Sequence, residues 1–568
     1  MLMTRSLSLG VPGNPATSSI SSQAFARSEW VPRTPRVRDD TPVLSSSPPD
    51  LQDDSEPLEG GGPAGLTMPA VLVAAFETPE GRRWLHRVLV GLVAIFVLSG
   101  GLGVSFLHEF LIFVGISRSV ACSPRTLQRF ALRLREQIVR WGRLTIAELA
   151  SKMHEIPTVL VLDEHWHGGM HLVAYDALSG YLLLQSPSPT RSAAAWGTAL
   201  EGALKGMRVR VLQTVGDDAL GLSTCSIDGV KLFHTSDLFH PLYAITRSLG
   251  PPIALRVRAA ERDVVSKQEL VSRFDAAGMP GATRRRPRGT REQAVIAHAE
   301  AGKSLAEAKL VQDALRTQVR AAGAAAHPID LTTGWWNTTH SLRAALRAPR
   351  NALRQWAEKH GLASRIDGAL SHWTSYAKAA EVQLTHLRAR AETAVATLAV
   401  PANVQMFVLE QLIPLAYVLV CHARSESSEA REKLRLIVDA TLARWRREEA
   451  VWHTLPLALR TQLLEFAMRI AATFVRSSSG IEGHNGRSSL WWHQRSRMDP
   501  LELEARQILT NFVKRGDERT TRAERFFRQP HRSLLSWLCD NVRSPGPPRR
   551  GVPSPRRIDL PADILAVL

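Results

Sequence analysis

Residues 156–250 contain short apolar runs of β-strand length, whereas the apolar residues on both sides of this region recur with the spacing of helices. The run Thr158–Asp163 is apolar and partly β-branched up to its last residue, which is typical of a strand buried on both faces. The other predicted strands are His171–Tyr175, Tyr181–Gln185, Val209–Thr214 and Val230–His234, and the main predicted helices are Arg191–Met207 and Asp237–Leu249. The resulting order, β-β-β-α-β-α-β-α, predicts an α/β fold in which a hairpin trio precedes right-handed crossovers.

The rest of the chain divides by composition. The first residues are rich in Ser, Pro, Gly and Asp, which predicts a disordered arm, and the last residues are similar but basic. A long helix-prone stretch predicts a large all-α insertion within the α/β core. The predicted units are the arm (1–66), an N-terminal helical domain (67–152), the first part of the core (153–254), the helical insertion (255–472), the end of the core (473–542) and a basic flexible tail (543–568).

Acidic residues stand at the ends of three predicted elements. Asp163 ends the first strand, Asp217 and Asp218 follow the fourth, and Glu482 lies where a late helix can begin. Because strand ends at one edge of an α/β sheet lie together, these carboxylates are expected to form one site. Each also has a simpler explanation, since an Asp can cap a turn or helix and Ser479 with Glu482 matches a capping box. Spacing alone does not choose between Asp217 and Asp218.

Three carboxylates at one sheet edge suit a pair of Mg²⁺ ions, which take oxygen ligands and few protein carboxylates. Two such ions, typically about 4 Å apart, activate an attacking water or 3′-hydroxyl and stabilise the leaving oxygen of a phosphodiester. Asp163, Asp217 and Glu482 therefore predict a phosphodiester-cutting site that uses Mg²⁺, for which Mn²⁺ can substitute. A zinc ribbon or finger is not expected, because the 4 cysteines lie far apart and form no CxxC pair.

The net charge of the chain predicts a polyanionic partner. Lys and Arg number 71 against 53 Asp and Glu, which gives +18, and nucleic acid is the usual partner of so basic a protein. The cysteines suggest no disulfide framework, so a reducing cytoplasm is expected.

A basic helix is predicted after Ser123, because Ser as N-cap followed by Pro124 is a strong start signal. Its apolar residues form one stripe. The residues Arg125, Arg129 and Arg133 point away from that stripe. Together with the short helix Phe106–Val114 and the turn after it, this pattern fits a DNA-binding helix-turn-helix. It fits an ordinary amphipathic helix with a solvated basic face equally well.

One stretch raises a different possibility for the chain. Val88–Leu107 has no charge over a length that can span a bilayer, and arginines flank its N-terminal side. The glycines Gly100 and Gly101 interrupt it, which favours a broken, buried helix over a membrane anchor. Val404–Cys421 is also very apolar, but it carries Glu410 and is interpreted as a core helix.

Several motifs, in the correct order, resemble those of bacterial insertion-sequence transposases of the DDE class, which have a ribonuclease-H-like catalytic core. The motifs are Val161-Leu-Asp163, Asp217-Asp-Ala-Leu-Gly-Leu222, His234-Thr-Ser-Asp-Leu-Phe-His240, His327-Pro-Ile-Asp-Leu331, Ser477-Ser-Ser-Gly-Ile-Glu-Gly-His-Asn-Gly486 and Thr520-Thr-Arg-Ala-Glu-Arg-Phe-Phe527. The resemblance covers residues 80–530. It departs from the family pattern at Asp218, where Gly is common, and at His484, where Arg is frequent.

The resemblance implies that Asp163, Asp217 and Glu482 are the catalytic, metal-binding triad, with Asp217 preferred over Asp218. The expected DNA contacts near the third acid are Arg487, Arg495, His484 and Asn485. The implied activity is Mg²⁺-dependent hydrolysis and 3′-hydroxyl strand transfer at the ends of a mobile element. Double-stranded DNA, a homo-oligomer on DNA and a bacterial cytoplasmic location without a membrane are implied with it. The alternatives are an inactive or domesticated DNA-binding derivative, and a membrane-anchored protein.

Overall fold

The computed structural model describes residues 70–166, 169–217, 219–229, 232–277, 288–425, 427–448, 450–478, 484, 499–513 and 519–548. Over these residues the chain is an α/β protein with large helical parts, built around one five-stranded mixed sheet. The predicted combination of an α/β core with large helical regions is therefore confirmed. The predicted arm (1–66) and most of the predicted tail (543–568) lie outside the described residues.

The helices before the sheet are α1 (Ala70–Glu77), α2 (Pro79–Gly91), α3 (Val104–Phe113) and α4 (Pro124–Lys152). The helix α4 begins as predicted, since the Thr126 N–H donates to the Ser123 hydroxyl at 3.3 Å and Pro124 is the first helical residue. Its apolar stripe is buried and its basic face is exposed, also as predicted.

The apolar stretch Val88–Leu107 is divided between two helical segments, as its glycines predicted. The helix α2 continues as π-helical turns over Leu92–Ser99, and α3 begins only at Val104. Between them Gly101 has a φ of +79°, a conformation that favours glycine. Leu89 and Val93 are buried in the core, so this stretch contributes to packing inside the protein.

The strands are β1 (Ile156–Trp166), β2 (Met170–Asp176), β3 (Leu182–Pro187), β4 (Val209–Gly216) and β5 (His234–Ser236), in the spatial order β3-β2-β1-β4-β5. Strand β2 is antiparallel to β1 and β3, whereas β1, β4 and β5 run parallel. The helices α5 (Ala193–Leu204) and α6 (Leu220–Thr224) lie in the crossovers on either side of β4.

The predicted bounds of the fifth strand are wrong. We expected Val230–His234, but β5 begins where that prediction ends and covers His234–Ser236. The physical reason is that π-helical turns over Cys225–Gly229 extend α6, and the Leu232 N–H donates to the Ser226 carbonyl at 2.8 Å. Leu232 therefore bonds back to these turns, and β5 begins only at His234. Val230 and Lys231 of the predicted strand lie outside the described residues.

The two faces of the sheet are covered by different parts of the chain. On one face, residues such as Leu160 and Leu162 join a core that also contains the buried residues of α4 and of the C-terminal helices. Those C-terminal helices are α17 (Pro500–Phe512), α18 (Arg522–Phe527) and α19 (Leu534–Asn541). The labels α7 to α16 belong to the helices of the insertion, which precede them in the chain. On the other face Val159, Val161 and Val215 pack with Val475, which follows the helical insertion.

The helical insertion packs around two cores of its own. Its helices are α7 (Phe239–Ala277), α8 (Arg291–Ala325), α9 (Thr339–Lys359), α10 (Ala363–Leu370), α11 (Trp373–Ala396), α12 (Ala402–Phe407), α13 (Ile413–Arg424), α14 (Ser428–Glu448), α15 (Ala450–Thr454) and α16 (Leu457–Ala472). The helix α7 is much longer than the predicted Asp237–Leu249, because it runs on through Pro251 and Pro252. Buried Leu249, Ile253 and Val257 hold this part of α7 in the protein interior.

One described helix passes a length and composition test for a membrane span. It is Ala402–Arg424, which joins α12 and α13 through π-helical turns. Buried residues make up 67% of its most apolar window. The core helix of a folded domain passes the same test, which agrees with our interpretation of Val404–Cys421.

Candidate active site at the carboxyl edge of the sheet

Three aspartates follow one another across the carboxyl edge of the parallel strands. In register, Val161 of β1 pairs with Val215 of β4, and Gly216 pairs with Ser236 of β5. Continuing this register places Asp163 beside Asp217, and Asp217 beside Asp237. Adjacent strands lie about 4.8 Å apart, and residues in parallel register share one face of the sheet. The predicted pair Asp163 and Asp217 is therefore brought to one edge and one face.

Gly216 allows β1 and β4 to approach closely at this edge. A Cβ atom at residue 216 would lie 2.7 Å from the Leu162 carbonyl oxygen, which is too close for any side chain. The carbonyl of Gly216 also accepts the N–H of Asp237 at 2.8 Å. The glycine therefore joins the backbones that carry all three aspartates.

Asp217, Asp237 and His240 form a hydrogen-bonded cluster. The Nδ1 atom of His240 lies 2.9 Å from Asp217 Oδ1 and 2.9 Å from Asp237 Oδ2. Since both neighbours are carboxylates, Nδ1 is the donor to both. Asp217 and His240 are partly open to solvent, with side-chain exposures of 41% and 46%, whereas the Asp237 side chain is 1% exposed.

The two carboxylates determine the charge of His240. They raise its pKa to about 11, first through the hydrogen bond to Asp217 and next through the one to Asp237, against the opposing effect of burial. His240 is therefore an imidazolium at neutral pH, and it places one positive charge between two negative ones.

Asp237 is the member of the site that the sequence reasoning missed. Its Oδ1 accepts the Phe239 N–H at 2.8 Å, and its Oδ2 accepts the Ser478 hydroxyl. The signal that could have revealed it is the Asp-x-x-His spacing directly after a strand, which places Asp237 just before α7 and His240 on the first turn of α7.

The chain returns from the helical insertion to this part of the sheet through Thr473–Ser478, which we call the returning segment. The Val475 carbonyl accepts the side-chain amides of Gln213 in β4, at 3.1 Å, and of Gln383, at 2.9 Å. The Leu238 N–H donates to the Arg476 carbonyl at 3.2 Å. The sheet, α11 and the start of α7 therefore all hold the returning segment.

The opposite side of the returning segment is held by a buried histidine. The Arg476 guanidinium donates to His327 Nε2 at 2.7 Å, and His327 Nδ1 lies 2.8 Å from the Tyr417 hydroxyl. Since Arg can only donate, Nε2 is the acceptor and the proton is on Nδ1. Burial, with the Arg476 charge as the second cause, holds the pKa of His327 well below its ordinary value. This histidine is therefore neutral.

Several predicted site residues lie outside the described residues. These are the third acid Glu482, the alternative acid Asp218, and the predicted DNA contacts Asn485, Arg487 and Arg495. His484 is described and is buried, with 6% of its surface exposed.

The basic residues of α4 belong to a different part of the molecule. Arg125, Arg129 and Arg133 are exposed along one side of the helix. The buried side of α4 packs in the core that contains Leu160 and Leu162, on the sheet face opposite to Asp163. The fold therefore does not gather these arginines with the aspartates.

Two of the three residues in this cluster, the aspartates, suit a hard divalent cation. The ligand atoms of Asp217, Asp237 and His240 lie within 4.8 Å of one another. Carboxylate oxygens are what Mg²⁺ and Mn²⁺ prefer, and Asp217 offers them at an exposed position. The Nδ1 of His240 carries a proton where it stands between the carboxylates, so it has no lone pair for a metal. The fit to Mg²⁺ therefore rests on the aspartates.

A family described as "Family of unknown function (DUF6399)" matches residues 408–554. The match covers less than half of the chain and includes the returning segment and Glu482, but neither Asp163 nor Asp217. No curated protein matches the chain. Since the description of the family states no function, an activity has to be inferred from the site itself.

Proposed function

We propose that the chain is a DNA transposase of the DDE class with a ribonuclease-H-like core. It would hydrolyse phosphodiester bonds at the ends of a mobile element and join the freed 3′-hydroxyl ends to target DNA. The observation that carries this proposal is the β1–β4 register, which ends at Val161 beside Val215 and, continued by two residues, sets Asp163 beside Asp217. Asp163 does not end its strand as expected, since β1 continues to Trp166, whereas Asp217 directly follows β4. Strand ends at a sheet edge are where α/β proteins place their reactive groups.

The sheet itself supports the ribonuclease-H-like assignment. Such a core has three antiparallel-connected strands followed by two parallel strands on the other side of the first. The order β3-β2-β1-β4-β5, with β4 and β5 parallel to β1, agrees with that pattern. A long helical insertion before the third acid agrees with it as well.

The position of the returning segment supports Glu482 as the third acid. Ser478 donates its hydroxyl to Asp237 at the carboxyl edge. Glu482 follows Ser478 by four residues, and a chain of that length spans at most about 14 Å. A third acid that follows Ser478 this closely in the chain fits the proposed triad.

The residues that would hold a pair of Mg²⁺ ions are Asp163, Asp217 and Glu482. The chemistry that such a pair supplies when bound is activation of the attacking hydroxyl and stabilisation of the leaving oxygen. The protein's own part is to hold three carboxylates at one edge, so that their charge is in place before DNA arrives.

The basic character of the chain supports DNA as the substrate. The charge of +18 favours binding to phosphates, and Arg125, Arg129 and Arg133 offer an exposed basic side on α4. Asn485, Arg487 and Arg495 are the proposed contacts next to the third acid. His484, which was expected to join them, is buried and is left out of this set. A homo-oligomer on DNA and a bacterial cytoplasmic location belong to the same proposal.

The test is strand joining by the full-length protein. The substrate is a labelled duplex taken from the DNA that flanks the coding region, where the proposal expects inverted repeats, and the cation is Mg²⁺ or Mn²⁺. Asp163→Asn should abolish cleavage and joining and leave DNA binding unchanged. The matched control is Asp313→Asn, because Asp313 is an exposed acid that pairs only locally with Arg316 in α8.

The outcomes separate the alternatives. Joining that survives in Asp163→Asn would overturn the proposed site. A wild-type protein that binds the repeats but cleaves with neither cation would be the inactive, DNA-binding derivative. Recovery of the protein in a carbonate-resistant membrane pellet would favour the membrane-anchored alternative.

A further inference from the structure

We propose that Ser478, Asp237 and His240 form a positioning chain that orients Asp217 and ties its orientation to the segment preceding Glu482. The inference rests on the proposed function, because it assigns the chain to the same metal site. It concerns residues outside the predicted triad of Asp163, Asp217 and Glu482.

The first link of the chain is the bond from His240 to Asp217. Asp217 follows the last residue of β4 and is 41% exposed, so the strand fixes its backbone but burial does not fix its side chain. The 2.9 Å contact with His240 Nδ1 places one carboxylate oxygen, Oδ1. This leaves Oδ2 of Asp217 as the oxygen to present to a cation.

The second link is the bond from His240 to Asp237. An imidazole that is 46% exposed would rotate about its side-chain bonds without a second anchor. Asp237 provides this anchor, because its own carboxylate is buried and is held by the Phe239 N–H at 2.8 Å. Asp237, which is held in place, thus orients the His240 ring, and the ring orients the more exposed Asp217. Histidine and carboxylate partners act in the same way around metal sites.

The third link joins Asp237 to the returning segment. The Ser478 hydroxyl bonds to Oδ2 of Asp237, which is the same oxygen that accepts from His240. Ser478 is buried, and the backbone before it is held by Gln213 and by Leu238. A shift of the returning segment would therefore change the hydrogen bonding of Asp237 and, through His240, of Asp217.

This arrangement gives His240 and Asp237 a role that differs from that of a metal ligand. They preorganise Asp217 before a cation or DNA is bound, and they couple the part of the site built by β4 to the part that follows the helical insertion. Removing the chain should weaken cation binding and leave the fold intact.

The test is binding of Mn²⁺ to the full-length protein without DNA, measured by titration calorimetry and by electron paramagnetic resonance. His240→Ala and His240→Asn both remove the imidazolium charge, so the difference between them isolates the hydrogen bonds. The Asn amide nitrogen lies near the position of Nδ1 and can donate to the same carboxylates, whereas Ala cannot. His240→Ala should therefore bind Mn²⁺ about 10-fold or more weakly than His240→Asn, the scale for loss of an outer-shell partner. Ser478→Ala should weaken binding by a smaller factor.

The control is His340→Ala, since His340 is exposed at the start of α9, in the helical insertion. Thermal melting without metal should be the same for His240→Ala and His240→Asn, which excludes a difference in folding between them. If wild type binds Mn²⁺, Asp217→Asn does not, and His240→Ala binds as tightly as His240→Asn, the positioning chain is wrong while the metal site stands. If wild type itself binds no Mn²⁺, the proposed metal-dependent function fails.

Discussion

Two histidines border the returning segment, and their surroundings shift their pKa values in opposite directions. His240 faces two carboxylates and is held charged, with its pKa raised to about 11. His327 is buried between the Tyr417 hydroxyl and the Arg476 guanidinium, and its pKa is lowered well below the ordinary value. The charged histidine therefore lies in a candidate functional region, the carboxyl edge of the sheet. The neutral histidine lies in a structural region, the buried contact between the returning segment and the helical insertion.

The same contrast holds for two aspartates that follow strands. Asp217 ends β4 at the parallel edge and is half-exposed beside His240. Asp176 ends β2, is buried, and accepts the N–H and hydroxyl of Ser179 at 2.7 Å and 2.6 Å. A carboxylate at the parallel edge is available to a ligand, whereas one in a buried turn is used by the fold.

The largest expected effect comes from comparing these two acids. Asp217→Asn should lower the rate of strand joining by about 10³-fold or more, because a carboxylate that holds the metal is lost, with no loss of thermal stability. Asp176→Ala should lower the melting temperature, because it removes the oxygen that accepts two buried hydrogen bonds from Ser179. Joining assays and calorimetric melting of both variants would test this. A rate loss in Asp176→Ala that exceeds its loss of folded protein would break the distinction.

The next effect concerns the two histidines. His327→Ala should destabilise the fold by about 2–3 kcal/mol, because it leaves the Arg476 guanidinium and the Tyr417 hydroxyl without a shared buried partner. His240→Ala should destabilise the fold less than His327→Ala does. The His240–Asp217 ion pair is half-exposed, and buried Asp237 keeps its bonds to the Phe239 N–H and the Ser478 hydroxyl. Urea denaturation gives both values. Equal destabilisation by the two substitutions would contradict the assignment of one structural and one functional histidine.

The pH dependence of stability sharpens the same comparison. In the unfolded chain His327 titrates near its ordinary pKa of about 6.5, whereas in the folded protein burial keeps it neutral at lower pH. Below about pH 6.5 the unfolded chain thus binds a proton that the folded protein does not, so stability falls as pH falls, by up to about 1.4 kcal/mol per pH unit for one such group.

The variant His327→Gln provides the check on this pH dependence. Urea denaturation between about pH 7 and about pH 5 should show a smaller slope for the variant than for wild type. An unchanged slope would show that other groups, such as the half-buried His386, carry the dependence.

The smallest expected effect concerns the basic side of α4, a helix that packs on the sheet face opposite to Asp163. If this side binds phosphates, each of Arg125→Ala, Arg129→Ala and Arg133→Ala should reduce the slope of log affinity against log salt by about 0.9. Fluorescence anisotropy with duplex DNA at several salt concentrations measures this slope. Arg435→Ala is the control, because Arg435 is already paired with Glu432 and Asp439. If none of the three substitutions alters the slope, this side of α4 is an ordinary solvated helix face.

Much of the sheet followed from local sequence. Apolar runs of strand length located β1 to β4 to within a few residues, because each buries both faces in a sheet covered on both sides. Ser123 and Pro124 located the start of α4, since capping is a local interaction. Leu232 was wrongly predicted to lie in β5, because its hydrogen bond to Ser226, at the end of α6, overrides the local β-propensity.

By itself the sequence determined the candidate acids, because Asp163 closes the apolar run of β1 and Asp217 directly follows β4. The structure extends β1 beyond Asp163 to Trp166. Only the tertiary structure decided that β4 and β5 lie beside β1 in register, and so made Asp237 their neighbour. It also decided that His240 binds two carboxylates and that Ser478, from the far end of the helical insertion, reaches the same cluster. The reason is physical: strand ends and caps depend on adjacent residues, whereas these contacts join residues that only the packing of sheet and insertion brings together.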